Sequence, residues 1–267
     1  MSTPKKSSGY LYIVFVMLFY LCSFPLSAES SMKIVATNSW TAAFAAAAGS
    51  DSQQIASSNM QHPPEYELKP SDVVKIRDAD LLVYAGYEVM MKTVFDSFKK
   101  PEEKLLKIET GYTPEIIEKS VMAIAVKTGN PDIGKKYIAS YNEDFASAVE
   151  ELEKRGLRGA PVIVQFHFKQ LAEALGFKIL AVFGPAPPEV SNLASIGKLK
   201  PALIIDNAHN PLGSPISEIT GARTIELVNF PGFTDKEGTK TPESLEGMLK
   251  YNISKLLEKQ ENRETGK

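Results

Sequence analysis

The residues with chemistry to perform are three histidines and a few carboxylates. His62, His167 and His209 are the only histidines in the 267-residue chain. Each directly follows, or sits a few residues beyond, an apolar run that reads as a β-strand, and Asp235 is placed in the same way. Zinc takes imidazole nitrogen and carboxylate oxygen in tetrahedral sets, whereas manganese favours more oxygen. Three imidazoles and a carboxylate therefore suffice for zinc without any thiolate. The single cysteine, Cys22, lies inside an N-terminal apolar run, which leaves the mature chain without a disulfide or a thiolate metal site. Glu65 and Glu67 flank Tyr66 close to His62 and join the candidates. Each candidate also has a plainer reading. His167 can cap a strand, His62 can be an exposed loop residue, and His209 can belong to Asn-Ala-His-Asn-Pro turn chemistry. Asp235, beside Lys236 and Glu237, can be a solvated loop charge, and Glu67 can cap the next helix. Trp40 and Tyr87 sit where strands exit and can wall a cleft, although core packing suits Trp40 better.

The elements that must position these residues alternate. Residues 32–37 form a strand, and Asn38-Ser39 cap a helix over 40–48 that Gly49 ends. A second strand near 54–59 delivers the chain to His62. Pro70-Ser71-Asp72 is a helix-start signature, because a short polar side chain caps orphan N–H groups and proline fits the first turn. Leu81-Leu82-Val83-Tyr84 is a buried strand ended by Gly86. Residues 104–108 and 121–126 read as further strands. Over 130–155, Ile133, Tyr137, Ile138, Tyr141, Phe145, Val149 and Leu152 repeat at steps of three and four, the apolar face of one long helix. The rhythm then restarts. Strands are expected at 161–166, 177–183, 202–205 and 224–228, and helices at 168–175, 189–198, 214–221 and 241–258. The fold class is α/β, with two Rossmann-like lobes joined by one long helix. In such open sheets ligands bind beyond the carboxyl ends of the strands, where these histidines fall.

The ends of the chain read differently. Lys5 and Lys6, an apolar stretch over 10–21 and Phe24-Pro25-Leu26-Ser27-Ala28 form an export signal, with cleavage after Ala28. A lipid anchor at Cys22 and an uncut signal anchor are the alternatives, and all three place the globular part outside the cytoplasmic membrane. The domains are then a signal peptide at 1–28, a first lobe at 29–128, a linking helix at 129–158 and a second lobe at 159–267 with a polar tail. The net charge of −2, with 43% hydrophobic and 23% charged residues, describes an ordinary globular chain and argues against a nucleic-acid partner.

The residues also resemble a known family over nearly the whole mature chain. Ile34 to Ala42, Tyr66-Glu67-Leu68-Lys69-Pro70-Ser71-Asp72 and Ala79 to Gly86 are similar to segments of the metal-binding, substrate-binding proteins of zinc and manganese ABC importers. Phe166-His167 resembles the segment where zinc members place a histidine ligand. Asn210 to Pro215 is similar to a Pro-x-x-Ser-Pro turn. Phe233-Thr234-Asp235 with Met248-Leu249-Lys250-Tyr251-Asn252 resembles the segment that carries a ligand aspartate. The ligand set departs from the family pattern. The family's first histidine falls on Pro64, two residues beyond His62, and its second has no counterpart, since residues 111–130 hold no histidine.

What the resemblance implies is a monomeric, non-enzymatic receptor at the periplasmic face that delivers a divalent metal to a membrane permease. Zinc is favoured and manganese is second. The expected ligands are His167, His62 or Glu65 from the first lobe, and Asp235 or His209 from the second. Two alternatives stand beside this: a receptor for a chelated metal or other small ligand, and an enzyme with His167 as general base oriented by Asp206 or Asp235. No Gly-x-Ser-x-Gly, phosphate-loop, His-Glu-x-x-His or Cys-x-x-Cys motif supports the enzyme.

Overall fold

Two parallel four-stranded sheets carry the candidate residues on their carboxyl edges. The computed structural model describes residues 32–60, 63–98, 100–235 and 238–258. The proposed export signal, His62 and the polar tail beyond residue 258 lie outside the described residues. Strands β1 (Ile34–Ala36), β2 (Ser52–Gln54), β3 (Leu81–Tyr84) and β4 (Leu105–Lys107) form the first sheet in the order β2-β1-β3-β4. Strands β5 (Pro161–Gln165), β6 (Lys178–Phe183), β7 (Leu203–Asn207) and β8 (Arg223–Leu227) form the second in the order β6-β5-β7-β8. All pairings within both sheets are parallel. The strand order is the same in each, so each has a switch point between its first and third strands.

Helices α1 (Ser39–Ala47), α2 (Pro70–Asp78), α3 (Met90–Phe98) and α4 (Pro114–Lys127) belong to the first half. Helix α5 (Pro131–Lys154) follows, and then α6 (Lys169–Ala174), α7 (Val190–Ile196), α8 (Ser214–Thr220) and α9 (Leu245–Leu257). The 24 residues of α5 run unbroken, which is ~36 Å at ~1.5 Å per residue. Pro131 and Asp132 occupy its first turn and Lys154 its last. That charge order complements the helix dipole. Its buried face includes Ile138, Tyr141, Phe145 and Leu152.

Alternation along the strands divides the core. Ile34 of β1, with Val162 and Val164 of β5, faces one continuous cluster that also takes in Phe44, Ile124, Tyr141, Phe168 and Leu249. Val35 and Leu82 face the opposite side and pack with Ile76, Met90 and Val94. Ile163 and Ile204 do the same with Ile216. Both faces of each sheet are covered, as parallel sheets require. The shared cluster joins the two sheets through α1, α4, α5 and α9, so the halves are packed together and not merely tethered.

Several boundaries differ from the sequence expectation. Residues 121–126 are not a strand but the second half of α4. There Val121, Ile124 and Ala125 are buried while Val126 is exposed, a three-to-four spacing that a six-residue apolar run conceals. The second strand lies earlier than expected, at Ser52–Gln54, a polar segment held as an edge by pairing with β1. Helix α3 was not expected, and the closing helix starts at Leu245 because Ser244 caps it by accepting from the Gly247 N–H. Among the described residues no helix is long and apolar enough to cross a membrane.

Candidate metal centre

The carboxyl edges of the two sheets meet. Ser58, beyond β2, donates from Oγ to the Gly232 carbonyl at 2.9 Å, and Asn59 Oδ1 accepts from the Thr234 N–H at 3.1 Å. The Tyr112 hydroxyl, beyond β4, donates to the carbonyls of Val228 and Asn229 at 2.9 and 3.0 Å. The loop after β8 is therefore fastened to loops after both β2 and β4.

On the first edge a carboxylate organises the turns. Glu88 is 4% exposed. It accepts from Thr37 Oγ1 at 2.5 Å, Asn38 Nδ2 at 3.0 Å, the Ala85 N–H at 2.9 Å and the Gly86 N–H at 2.7 Å. These bonds join the end of β1 to the end of β3 at the switch point. Asn38 also caps α1, its Oδ1 accepting from the Thr41 N–H. Tyr87, exposed between Gly86 and Glu88, lies within 3.3 Å of Thr110 Oγ1 through its hydroxyl. Sequence reasoning assigned no role to Glu88, because no local pattern marks a bond that spans 50 residues.

The Tyr-Glu-x-x-Pro-Ser-Asp segment is a structural brace. The Tyr66 hydroxyl donates to Asp72 Oδ2 at 2.6 Å, and that oxygen also accepts from the Lys69 N–H at 3.1 Å. Asp72 thus closes the start of α2. Burial pushes its pKa up, but the bonds from Tyr66 and Lys69 and the Lys75 charge outweigh this, and the carboxyl sits below its ordinary value. The same bond is the largest cause that lifts the Tyr66 hydroxyl to about 12. Glu65 ends the short 3-10 turn Pro63–Glu65 and is exposed, as is Glu67.

On the second edge β5 ends at Gln165, and the 3-10 turn Phe166–Phe168 carries His167. Gln165 is fully buried, and its Oε1 accepts from the His167 N–H at 2.9 Å, so it sets the direction of the turn. Its Nε2 meets no hydrogen-bond partner. The His167 ring reaches solvent and lies edge-on to Phe166, with centroids 5.6 Å apart. Partial desolvation lowers its pKa from the ordinary histidine value, which favours the neutral imidazole that a metal needs.

Near the end of β7, Asp206 is 1% exposed and accepts from the N–H groups of Asn207, Leu212 and Gly213 at 2.8, 2.9 and 2.6 Å. Burial raises its pKa, partly offset by those three donors. The loop it holds places His209 at 6% exposure, between Phe233 at 3.9 Å and Phe230 at 5.4 Å between ring centroids. Asp235 is half-buried, and its Oδ1 accepts from the Thr239 N–H at 2.7 Å. Of the expected ligands, His167 lies at the second switch point, His209 sits in an aromatic pocket beside it, and Asp235 braces a turn after β8. Among the described residues, no three His, Cys, Asp or Glu side chains group closely enough to hold a metal ion.

Two lobes of matching strand order, joined by a single long helix and meeting at their carboxyl edges, make up a fold of the kind that two-lobed solute-binding proteins have. The family model of the zinc-uptake complex component A, periplasmic (ZnuA) matches residues 34–133. By sequence the chain resembles that family over residues 34–133. It is similar to the manganese-bound periplasmic metal-binding protein of Candidatus Liberibacter asiaticus, with 16% identity, a TM-score of 0.59 and coverage of 85% of this chain and 98% of that one. It is also similar to a mutant of the laminin-binding adhesin Lmb of Streptococcus agalactiae, at 18% identity, a TM-score of 0.63 and coverage of 84% and 99%. TroA aligns at 14% identity with a TM-score of 0.62, over 85% of this chain and 99% of that chain. At these identities the structural likeness speaks for the fold alone. Comparison with curated proteins gives no match.

Proposed function

We propose that the chain is the extracytoplasmic solute-binding component of an ABC importer. It captures a divalent metal, zinc before manganese, between its lobes and passes it to a membrane permease. It acts as a monomer and is exported by its N-terminal segment. Capture and release need no turnover, so neither a nucleophile nor an acid–base pair is required of the site.

The observation that carries this reading is the position of His167. It stands at the end of β5, at a switch point, on an edge that the opposite lobe faces. Ligands of open α/β sheets bind there, and its lowered pKa keeps the imidazole neutral at pH 7. His62 or Glu65 is the partner from the first lobe, and Asp235 or His209 from the second. The zinc-uptake family match over residues 34–133 supports the metal, as do fold neighbours that bind manganese or cadmium.

The test has two parts. Protein purified from its native compartment without chelator is assayed for metal content, and the metal-free protein is titrated calorimetrically with zinc and manganese. Metal in the isolated protein, and its loss in His167→Ala, are the expected results. A wild type that carries no metal and responds to none, free or complexed, ends the reading.

A further inference from the structure

We infer that Glu65 is the first lobe's metal ligand and that the buried carboxylate of Glu88 is its positioning residue. The inference rests on the receptor reading above and chooses between the two first-lobe partners named there.

Glu88 ties the ends of two strands together and sets the turn that follows. Its Oε1 accepts from Thr37 and Asn38 after β1 and from the Ala85 N–H after β3, while its Oε2 accepts from the Gly86 N–H. Gly86 holds a φ of +93°, a conformation that residues with a Cβ rarely adopt. The residue after Glu88 carries the tie outward. The Val89 N–H donates to the Pro64 carbonyl at 2.9 Å, and Pro64 belongs to the 3-10 turn that Glu65 ends. On the other side, the Tyr66 hydroxyl is fixed on Asp72. The chain is thus fastened at the residue before Glu65 and at the residue after it.

The Glu65 side chain is left open. It is exposed, and among the described residues no hydrogen bond or ion pair engages its carboxylate. Asp72, Glu88 and Asp206 differ, since each already accepts from two or more donors. A carboxylate with free lone pairs takes a cation without stranding a buried donor. The segment that carries Glu65 also spans the meeting edges. Ser58 and Asn59 bond to Gly232 and Thr234 of the second lobe, and Pro64 bonds to Val89 beyond β3. Holding a ligand's backbone in place beforehand lowers the ordering cost of capture, which is the work of an outer-shell residue.

Calorimetric titration of the full chain with zinc and with manganese is run on wild type, Glu65→Gln, Glu88→Gln and the double variant. In Glu88→Gln the amide keeps an oxygen for Thr37, Asn38 and Ala85 but turns its own N–H towards that of Gly86. Glu65→Gln should weaken metal binding about ten-fold or more, and Glu88→Gln roughly ten-fold, a typical cost of losing an outer-shell partner. With Glu65 already replaced, Glu88→Gln should cost less than about two-fold, because it acts through a side chain that is gone. If Glu88→Gln melts too low to titrate, Thr37→Val, which removes one donor and no charge, takes its place in the same cycle. A Glu88 loss of equal size with and without Glu65, or a single variant that loses nothing, overturns the inference and leaves the metal receptor standing. A wild type silent to both metals ends the receptor reading and the inference with it.

Discussion

The hydroxyl of Tyr112 donates to the carbonyl of Val228 at 2.9 Å, joining the carboxyl edges of the two sheets. Val228 is also gripped from the other side, since Asn252 of α9 accepts from its N–H and donates to its carbonyl, both at 2.9 Å. Tyr112 itself receives no freedom from the helix beside it, because the Tyr141 hydroxyl of α5 donates to the Tyr112 carbonyl at 2.6 Å. The result is a buried chain of bonds from the long helix through the first lobe into the second.

Tyr112→Phe tests that bridge. The Val228 carbonyl keeps Asn252, but the Asn229 carbonyl loses the Tyr112 donor. Loss of a buried hydrogen bond costs ~1–2 kcal/mol. For a body of this size that is ~3–6 °C in melting temperature. A melt unchanged within error means that the bridge carries no stability.

Tyr66→Phe probes the brace at the start of α2. The partly exposed bond to Asp72 is worth ~1 kcal/mol at neutral pH. Because the folded Asp72 pKa is lowered, its contribution is present above the ordinary aspartate value of ~3.9 and is lost as pH falls through the folded value. The gap between wild type and variant should therefore close below pH ~4. Tyr66 is raised to about 12, so its share persists below the ordinary tyrosine value of ~10 and fades as pH rises from there through 12. Thermal melts of both proteins from pH 3 to 11 check this. A gap that stays constant down to pH 3 refutes the ion-assisted bond.

The lobes and the long helix were legible because their signals are local. Ile138, Tyr141, Phe145 and Leu152 repeat within one element, and Leu81-Leu82-Val83 is an uninterrupted buried strand. Helix α4 was misread where Val121 to Val126 is too short to separate the two periods. Strand β2 was displaced because Ser52-Gln53-Gln54 carries no apolar signal. The position of His167 was legible because it follows a clear strand. Glu88 and Gln165 were not, since their roles depend on strand order, which sets β1 beside β3 and β5 beside β7. No spacing in the chain encodes that order.

Small-angle scattering addresses how far the lobes move. The shared core, the unbroken α5 and the bonds of Ser58, Asn59 and Tyr112 across the edges all oppose wide opening. The radius of gyration should change by less than ~1 Å on saturation with zinc, against ~17.5 Å for a compact body of about 240 residues. A larger compaction means that these bonds break and re-form during the binding cycle.

The pH dependence of capture follows from His167. Desolvation lowers its pKa below the usual ~6.5. Protons compete with metal only when they bind the same nitrogen, so affinity should begin to weaken at a lower pH than it would with an ordinary histidine of ~6.5. In His167→Gln the part of that decline owed to His167 should vanish together with most of the affinity. Melting curves provide an independent readout, since a ligand bound only by the folded chain raises the midpoint in proportion to the logarithm of its excess over Kd. The stabilisation by zinc should fade at a lower pH than an ordinary histidine of ~6.5 would set. A decline centred at or above pH ~6.5 would assign the metal to a histidine whose pKa is not lowered, and His167 would lose its place in the site.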